Sequence, residues 1–319
     1  MNLQQLRMFL RVGELGSLSK VAHRLRVAQP ALSRQMKLLQ DEIGVPLFKR
    51  HRHGMRLTPE GEEFMRRLGG VIRQIDQAVE DVRSAKGKPA GRASLGVVPT
   101  ISSLLAARLV ARVAADYPGI SLRIVEGYDG HLVDWLQAGE IDAAIIYGPN
   151  AGLRLDVEEL LTEDLFLVGP PASNLADDTP LSMASVSQYP LVLPSKPHGL
   201  RAVVEGAAAK ARVKLVVRFE ADSFRVLKEL VERGLGYTTL PVSSFLQERL
   251  QGRLKCAPIL ESLARQLMMA LPLDAPISRA TRTVVDLAQQ EIAALVQQGS
   301  WPARLQFNTV PGSRRRTST

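Results

Sequence analysis

Gln29, Ser33 and Lys37 recur at helical spacing, with Arg34 beside them, and Leu32, Met36 and Leu39 occupy the opposite face. Amide, hydroxyl, guanidinium and ammonium groups at the start of a helix are the types that reach base edges and phosphates in a DNA major groove. Arginine pairs with guanine, and glutamine pairs with adenine. Pro30 falls in the first turn, where a missing N–H costs nothing. Before it, Ser17 is placed to cap a helix with apolar positions Leu18, Val21, Ala22 and Leu25. Leu3, Leu6, Phe9 and Leu10 line one face of a helix that comes earlier still. The short link Arg26-Val27-Ala28 makes the pair a helix-turn-helix. A basic hairpin, or wing, follows between Leu47 and Leu57, turning at His53-Gly54 and carrying Lys49, Arg50, Arg52 and Arg56. Ser17, Gln29, Pro30, Ser33, Arg34, Lys37 and those four wing cations form the surface expected on duplex DNA.

Such a face could instead be an ordinary solvated surface, and charge decides between the two. Met1 to Thr58 holds 11 Lys/Arg against 3 acidic residues, while the whole 319-residue chain carries +9, so the excess sits almost entirely in this segment. A basic domain on a near-neutral body asks for a polyanion.

Enzyme chemistry finds little support. The histidines at 23, 51, 53, 131 and 198 are scattered, and no nucleophile elbow, phosphate loop, dinucleotide fingerprint or zinc-protease motif occurs. The single cysteine, Cys256, has no partner for a disulfide or metal knuckle. Neither a cofactor nor a metal is expected. No apolar run approaches a membrane span, and the charged start lacks a signal-peptide core, so a cytoplasmic protein with no membrane partner is expected.

Thr58-Pro59-Glu60 opens a long helix in which Phe64, Leu68, Val71, Ile75, Ala78 and Val82 form a narrow seam. A seam this narrow asks for a second helix, hence a homodimer or dimer of dimers. The helix ends before Lys86–Gly91. From Arg92 strands and helices alternate, which predicts an α/β domain with largely parallel sheets and a break near Glu163. The expected domains are therefore 1–58 for DNA, 59–91 for the linker helix and hinge, 92–298 for an α/β sensor, and 299–319 as a polar tail. The sensor divides into about 92–162 with 272–298, and about 163–271. The strand at Ala93–Val98 ends in Thr100 and Ser102 at a helix start, and the loop from Ser195 through His198 to Arg201 repeats the arrangement. Strand ends that open helices gather N–H groups and attract small anions such as carboxylates. On the alternative reading, Thr100 and Ser102 merely cap a helix and Arg201 is a surface ion-pair partner. Arg314-Arg315-Arg316 reads as a solvated tail, or else as extra phosphate contacts.

Several linked blocks resemble the LysR-type transcriptional regulators: Leu3–Phe9, Gly16-Ser17-Leu18, Ala28–Gln35, Gly44–Phe48 and Leu57–Gly61. Asp142–Tyr147, Glu163–Gly169 and Leu193-Pro194-Ser195 with Leu200-Arg201 resemble its nitrogen-assimilation-control branch. The resemblance implies a winged helix-turn-helix, a dimerising linker helix, and an effector domain of two Rossmann-like subdomains akin to type II periplasmic binding proteins. It implies tetramers, contact with RNA polymerase, and a small-molecule effector between the two subdomains, at Thr100, Ser102, Ser195, His198 and Arg201. One departure is Ala28, where the family usually has a capping serine; its loss is expected to cost about 1 kcal/mol or to move the cap to Gln29. A DNA-binding or architectural protein without a ligand, a solute-binding protein and an enzyme remain the alternatives.

Overall fold

The computed structural model describes residues 1–52, 54–83, 87–148, 155–196, 198–260, 263–273 and 276–307. His53 at the wing turn, residues 84–86 of the expected hinge and the Arg314–Arg316 run lie outside them. The chain divides into two compact units, Met1–Gly87 with Trp135–Glu140, and Lys88–Asp134 with Ile141–Thr319.

The first unit begins with α1 (Leu3–Leu15), α2 (Leu18–Leu25) and α3 (Gln29–Ile43). Asn2 and Gln5 form a reciprocal capping box on α1. The Ser17 hydroxyl caps α2, and α3 starts at Ala28 with no side-chain cap at all. Phe9, Val12, Val21, Leu32, Met36 and Leu39 close the core between the three helices. Strands β1 (Phe48–His51) and β2 (Gly54–Leu57) make the wing as an antiparallel pair. Gln40 Oε1 ties the wing to α3 by accepting from the backbone N–H groups of Leu47 and Phe48, at 2.9 and 3.0 Å. Gly54 lies at φ 136°, and a Cβ there would come within 2.4 Å of the Gly16 carbonyl, so only glycine fits where the wing meets the end of α1.

Helix α4 (Pro59–Arg83) corrects the expected seam. Phe64 packs its ring 5.1 Å from Phe9, and Leu68 is buried with Ile72 in the same winged-domain core. Val71, Ile75 and Val82 are exposed, as is Val79. Core packing of the short winged domain takes the first turns of α4, and only the later part is left for a partner.

In the second unit β3 (Gly91–Val97), α5 (Pro99–Asp116), β4 (Ile120–Glu126), α6 (Asp129–Gln137) and β5 (Ala143–Gly148) alternate, and β3 pairs parallel with both β4 and β5. Next come β6 (Leu155–Gly169), α7 (Met183–Val186), β7 (Pro190–Leu193), α8 (Gly199–Lys210), β8 (Val216–Glu220), α9 (Phe224–Glu232) and β9 (Thr238–Pro241). The chain continues through α10 (Leu246–Leu250), β10 (Lys255–Pro258), β11 (Ala264–Pro272), α11 (Arg279–Gln297) and β12 (Arg304–Leu305). Strands β7 and β8 are parallel, but β6 runs antiparallel to β9, β10, β11 and β12, and β11 also runs antiparallel to β5.

The sheets are therefore mixed rather than largely parallel. Strand β6 runs unbroken through Glu163 for 15 residues, but its pairing changes there: residues up to Asp164 pair with β11, and from Leu165 onward the partners are β9 and β10. Five acidic residues within β6 obscure its strand pattern in the sequence. A separate apolar core gathers residues between Leu165 and Leu263. The tail is also shorter than expected. Trp301 is fully buried, and β12 adds a short strand to β6, locked by a two-pronged ion pair from Arg304 to Asp164 at 2.6 and 2.8 Å.

A nucleic-acid surface and a sensor cleft

In the first unit Gln29, Pro30, Ser33, Arg34 and Lys37 are all exposed along the start of α3, and Ser17 is half-buried at the head of α2. Lys49, Arg50, Arg52 and Arg56 are exposed on the wing. Register sets Lys49 directly across from Arg56. Like charges facing each other across a strand pair are unfavourable unless something anionic lies over them. Ion pairs do form elsewhere in this unit, as between Arg7 and Asp76. None of the described ion pairs involves Arg34, Lys37 or the four wing cations. The surface presents hydrogen-bond donors on a helix start, flanked by uncommitted positive charge.

In the second unit a cleft opens at the carboxyl ends of β3, β4, β7 and β8, with about 420 Å³ of open space including its mouth. Of the five residues expected to bind an effector, it brings together Thr100 and His198. The other three have different tasks. Ser102 lies within α5 and does not line the cleft. The Ser195 hydroxyl and N–H both donate to Asp222 Oδ1, at 2.6 and 2.8 Å, so Ser195 sets the orientation of an acid at the mouth. Arg201 is spent on Glu205, Glu220 and the Pro194 carbonyl, an ion-pair partner as on the alternative reading but buried rather than at the surface.

Arg265, which the sequence did not single out, is the cation of the cleft. It enters from β11, with its side chain 3% exposed and its guanidinium 4.2 Å above the Tyr147 ring. Its Nε donates to Glu163 Oε1 at 2.6 Å, and its Nη2 reaches Thr100 Oγ1 at 3.2 Å. Its Nη1 has no protein partner among the described residues. Glu163 is itself fully buried, with Oε2 accepting from Ser243 and from Trp301 Nε1 at 2.9 Å each. Burial works against the Arg265 charge, but Glu163 and Tyr147 outweigh it and keep the arginine pKa above its ordinary value. Tyr147 also shares a hydrogen bond with the Thr100 hydroxyl, and burial pushes its pKa upward.

Two acids also line the cleft. Asp129 begins α6; its Oδ1 accepts from the Tyr147 N–H at 2.9 Å, and burial raises its carboxyl pKa to about 6. Its Oδ2 reaches over the start of α8, where a Cβ on residue 199 would lie 2.9 Å away, so Gly199 gives the carboxylate room. Asp222 is exposed, and the two Ser195 bonds hold its pKa below the usual range. His198 caps α8 through Nδ1, packs edge-on to Tyr128 at 4.9 Å, and has its pKa lowered by burial. A cation on a strand that departs from an apolar pattern, as in Leu263-Ala264-Arg265-Gln266-Leu267, was the available signal for the missed arginine.

A winged helix-turn-helix with uncommitted outward cations, followed in the same chain by an α/β domain whose cleft holds a buried arginine and two acids, defines a DNA-binding regulator that carries its own sensor. Residues 3–62 match the bacterial regulatory helix-turn-helix proteins of the lysR family, and residues 86–293 match the LysR substrate binding domain. The chain belongs to the LysR family of transcription regulators, with a DNA-binding domain and an effector-binding domain. Relatives include the HTH-type transcriptional regulator BbuR of Bordetella bronchiseptica, 28% identical over 93% of this chain and 92% of its own. The nitrogen assimilation regulatory protein nac of Escherichia coli is equally similar, 28% identical over 93% of this chain and 97% of its own. A full-length OxyR variant from Pseudomonas aeruginosa shares the fold with a TM-score of 0.73 at 24% identity, covering 97% of this chain and 99% of that one.

Proposed function

We propose that this regulator acts in the bacterial cytoplasm as a homodimer or dimer of dimers. It reads a specific duplex sequence with residues 1–58 and responds to a small carboxylate in a sensor formed by residues 92–298. Residues 59–91 join the subunits. The two sensor subdomains comprise about 92–162 with 272–298, and about 163–271. The uncommitted cations on α3 and the wing carry the DNA reading. Arg34 and Gln29 contact bases, while Lys49, Arg50, Arg52 and Arg56 contact phosphates. Exposed Val71, Ile75, Val79 and Val82 on α4 support pairing through its later half. No described helix is long and apolar enough to cross a membrane, which fits the cytoplasmic assignment. Family membership also supports contact with RNA polymerase.

The open Nη1 of Arg265 beside Thr100 carries the carboxylate reading. A carboxylate there would gain a charge-assisted bond from a guanidinium already oriented by Glu163 and Tyr147. Gel-shift titration of the full chain against its own promoter region tests the DNA half, with binding expected to weaken steeply as salt rises. Thermal unfolding with small carboxylates tests the sensor half. If carboxylates change neither unfolding nor DNA binding, the protein is a DNA binder without this class of ligand.

A further inference from the structure

Charge in the cleft is unbalanced, and the imbalance bears on what can enter. Glu163 already neutralises Arg265 from behind. Asp129 and Asp222 remain, one on each side of the cleft, and neither forms an ion pair among the described residues. Each has one oxygen committed, Asp129 Oδ1 to the Tyr147 N–H and Asp222 Oδ1 to Ser195, which leaves both Oδ2 atoms as acceptors. A plain carboxylate reaching Arg265 Nη1 would thus approach two acids that Arg265, already paired with Glu163, offsets only in part. A plain amine would be drawn to the acids and would leave the Nη1 donors of a buried guanidinium unsatisfied.

We propose that the cleft selects a zwitterion of the α-amino-acid type, its carboxylate on Arg265 Nη1 and Thr100 and its ammonium facing Asp129 and Asp222. This rests on the carboxylate reading given above and narrows it. The surrounding walls, Val98, Pro99, Leu200, Phe224, Leu227 and Leu240, are apolar and leave room for a hydrocarbon side chain. The raised Asp129 carboxyl fits the same picture, because an ammonium beside it would offset the cost that burial puts on its charged form.

The test is thermal unfolding of the full chain with each proteinogenic L-α-amino acid. Every compound that stabilises is then compared by calorimetry with its 2-hydroxy acid and its decarboxylated amine. At least one amino acid should bind, with both analogues weaker by about tenfold or more, the loss expected when a charged group goes unpaired. Asp129→Asn and Asp222→Asn should each shrink the preference for amino over hydroxy acid. If Asp129→Asn fails to fold, the exposed Asp222→Asn carries the comparison. Hydroxy acids or simple carboxylates binding as tightly as the amino acids would overturn the zwitterion and leave the carboxylate site standing. A lack of stabilisation by amino acids and hydroxy acids alike would overturn both.

Discussion

Six cations on the winged domain stand uncommitted in water, whereas the sensor cleft has one arginine, buried and held on three sides by Glu163, Thr100 and Tyr147. The contrast follows from the size of what each region meets. An exposed lysine or arginine is solvated at little cost and can wait for a long polyanion. A buried guanidinium without a partner would cost several kcal/mol, so the fold supplies an internal counterion and leaves a single nitrogen open. On the proposed reading the DNA surface would give affinity by number of charges, and the cleft selectivity by placing a few.

Removing the internal counterion should cut deepest. Glu163→Ala leaves Arg265 buried and alone and should lower unfolding free energy by about 3–5 kcal/mol in denaturant melts. Arg34→Ala should be nearly neutral in the same melts, and equal losses would erase the contrast between the two regions. Next comes Leu68→Asp, which places a charge in the winged-domain core and should cost about 3 kcal/mol or more, through loss of that domain. Val71→Asp with Ile75→Asp should instead leave each domain folded and shift sedimentation toward monomer; an intact dimer would move the interface elsewhere. Arg34→Ala should narrow the gap between operator and random DNA by about 1–3 kcal/mol, while Lys49→Ala should weaken both equally and flatten the salt dependence.

Smaller effects sharpen the cleft. Thr100→Val removes the hydroxyl bonded to Arg265 and Tyr147 and should cost about 1 kcal/mol in stability. Asp129 gives a pH signature. Burial keeps its proton on to about pH 6 in the folded chain, against an ordinary 3.8 once unfolded. The native state therefore binds more protons between those values, and its contribution to stability falls as pH climbs through that window. Asp129→Asn should flatten this part of the stability profile. An unchanged profile would mean that the carboxyl titrates normally.

The two regions also differ in how much of each could be read from sequence. Winged-domain residues sit in consecutive blocks, where helix spacing, Ser17, Pro30 and a local charge excess all operate within a few turns, and α1 to β2 appear where that pattern places them. Of the five residues expected to bind an effector, only Thr100 and His198 line the cleft. Arg265, Glu163, Asp129 and Asp222 come from four separate segments that only folding brings together, and none has a local motif. Arg201 misled because a loop cation looks the same in sequence whether it faces a ligand or Glu205. The split of the α4 seam was equally invisible, since 3.6-residue spacing does not say which helix covers which turn.

Trp301 lies beyond both family matches, yet its indole N–H ends on the carboxylate that steadies the cleft arginine. The chain has two tryptophans, so Trp135→Phe would leave this ring as the sole source of red-edge emission. Indole fluorescence responds to charge placed near the ring. Any ligand that tugs Arg265 and redistributes the Glu163 contacts should shift the emission maximum, giving the sensor a built-in optical gauge that needs no dye and no DNA.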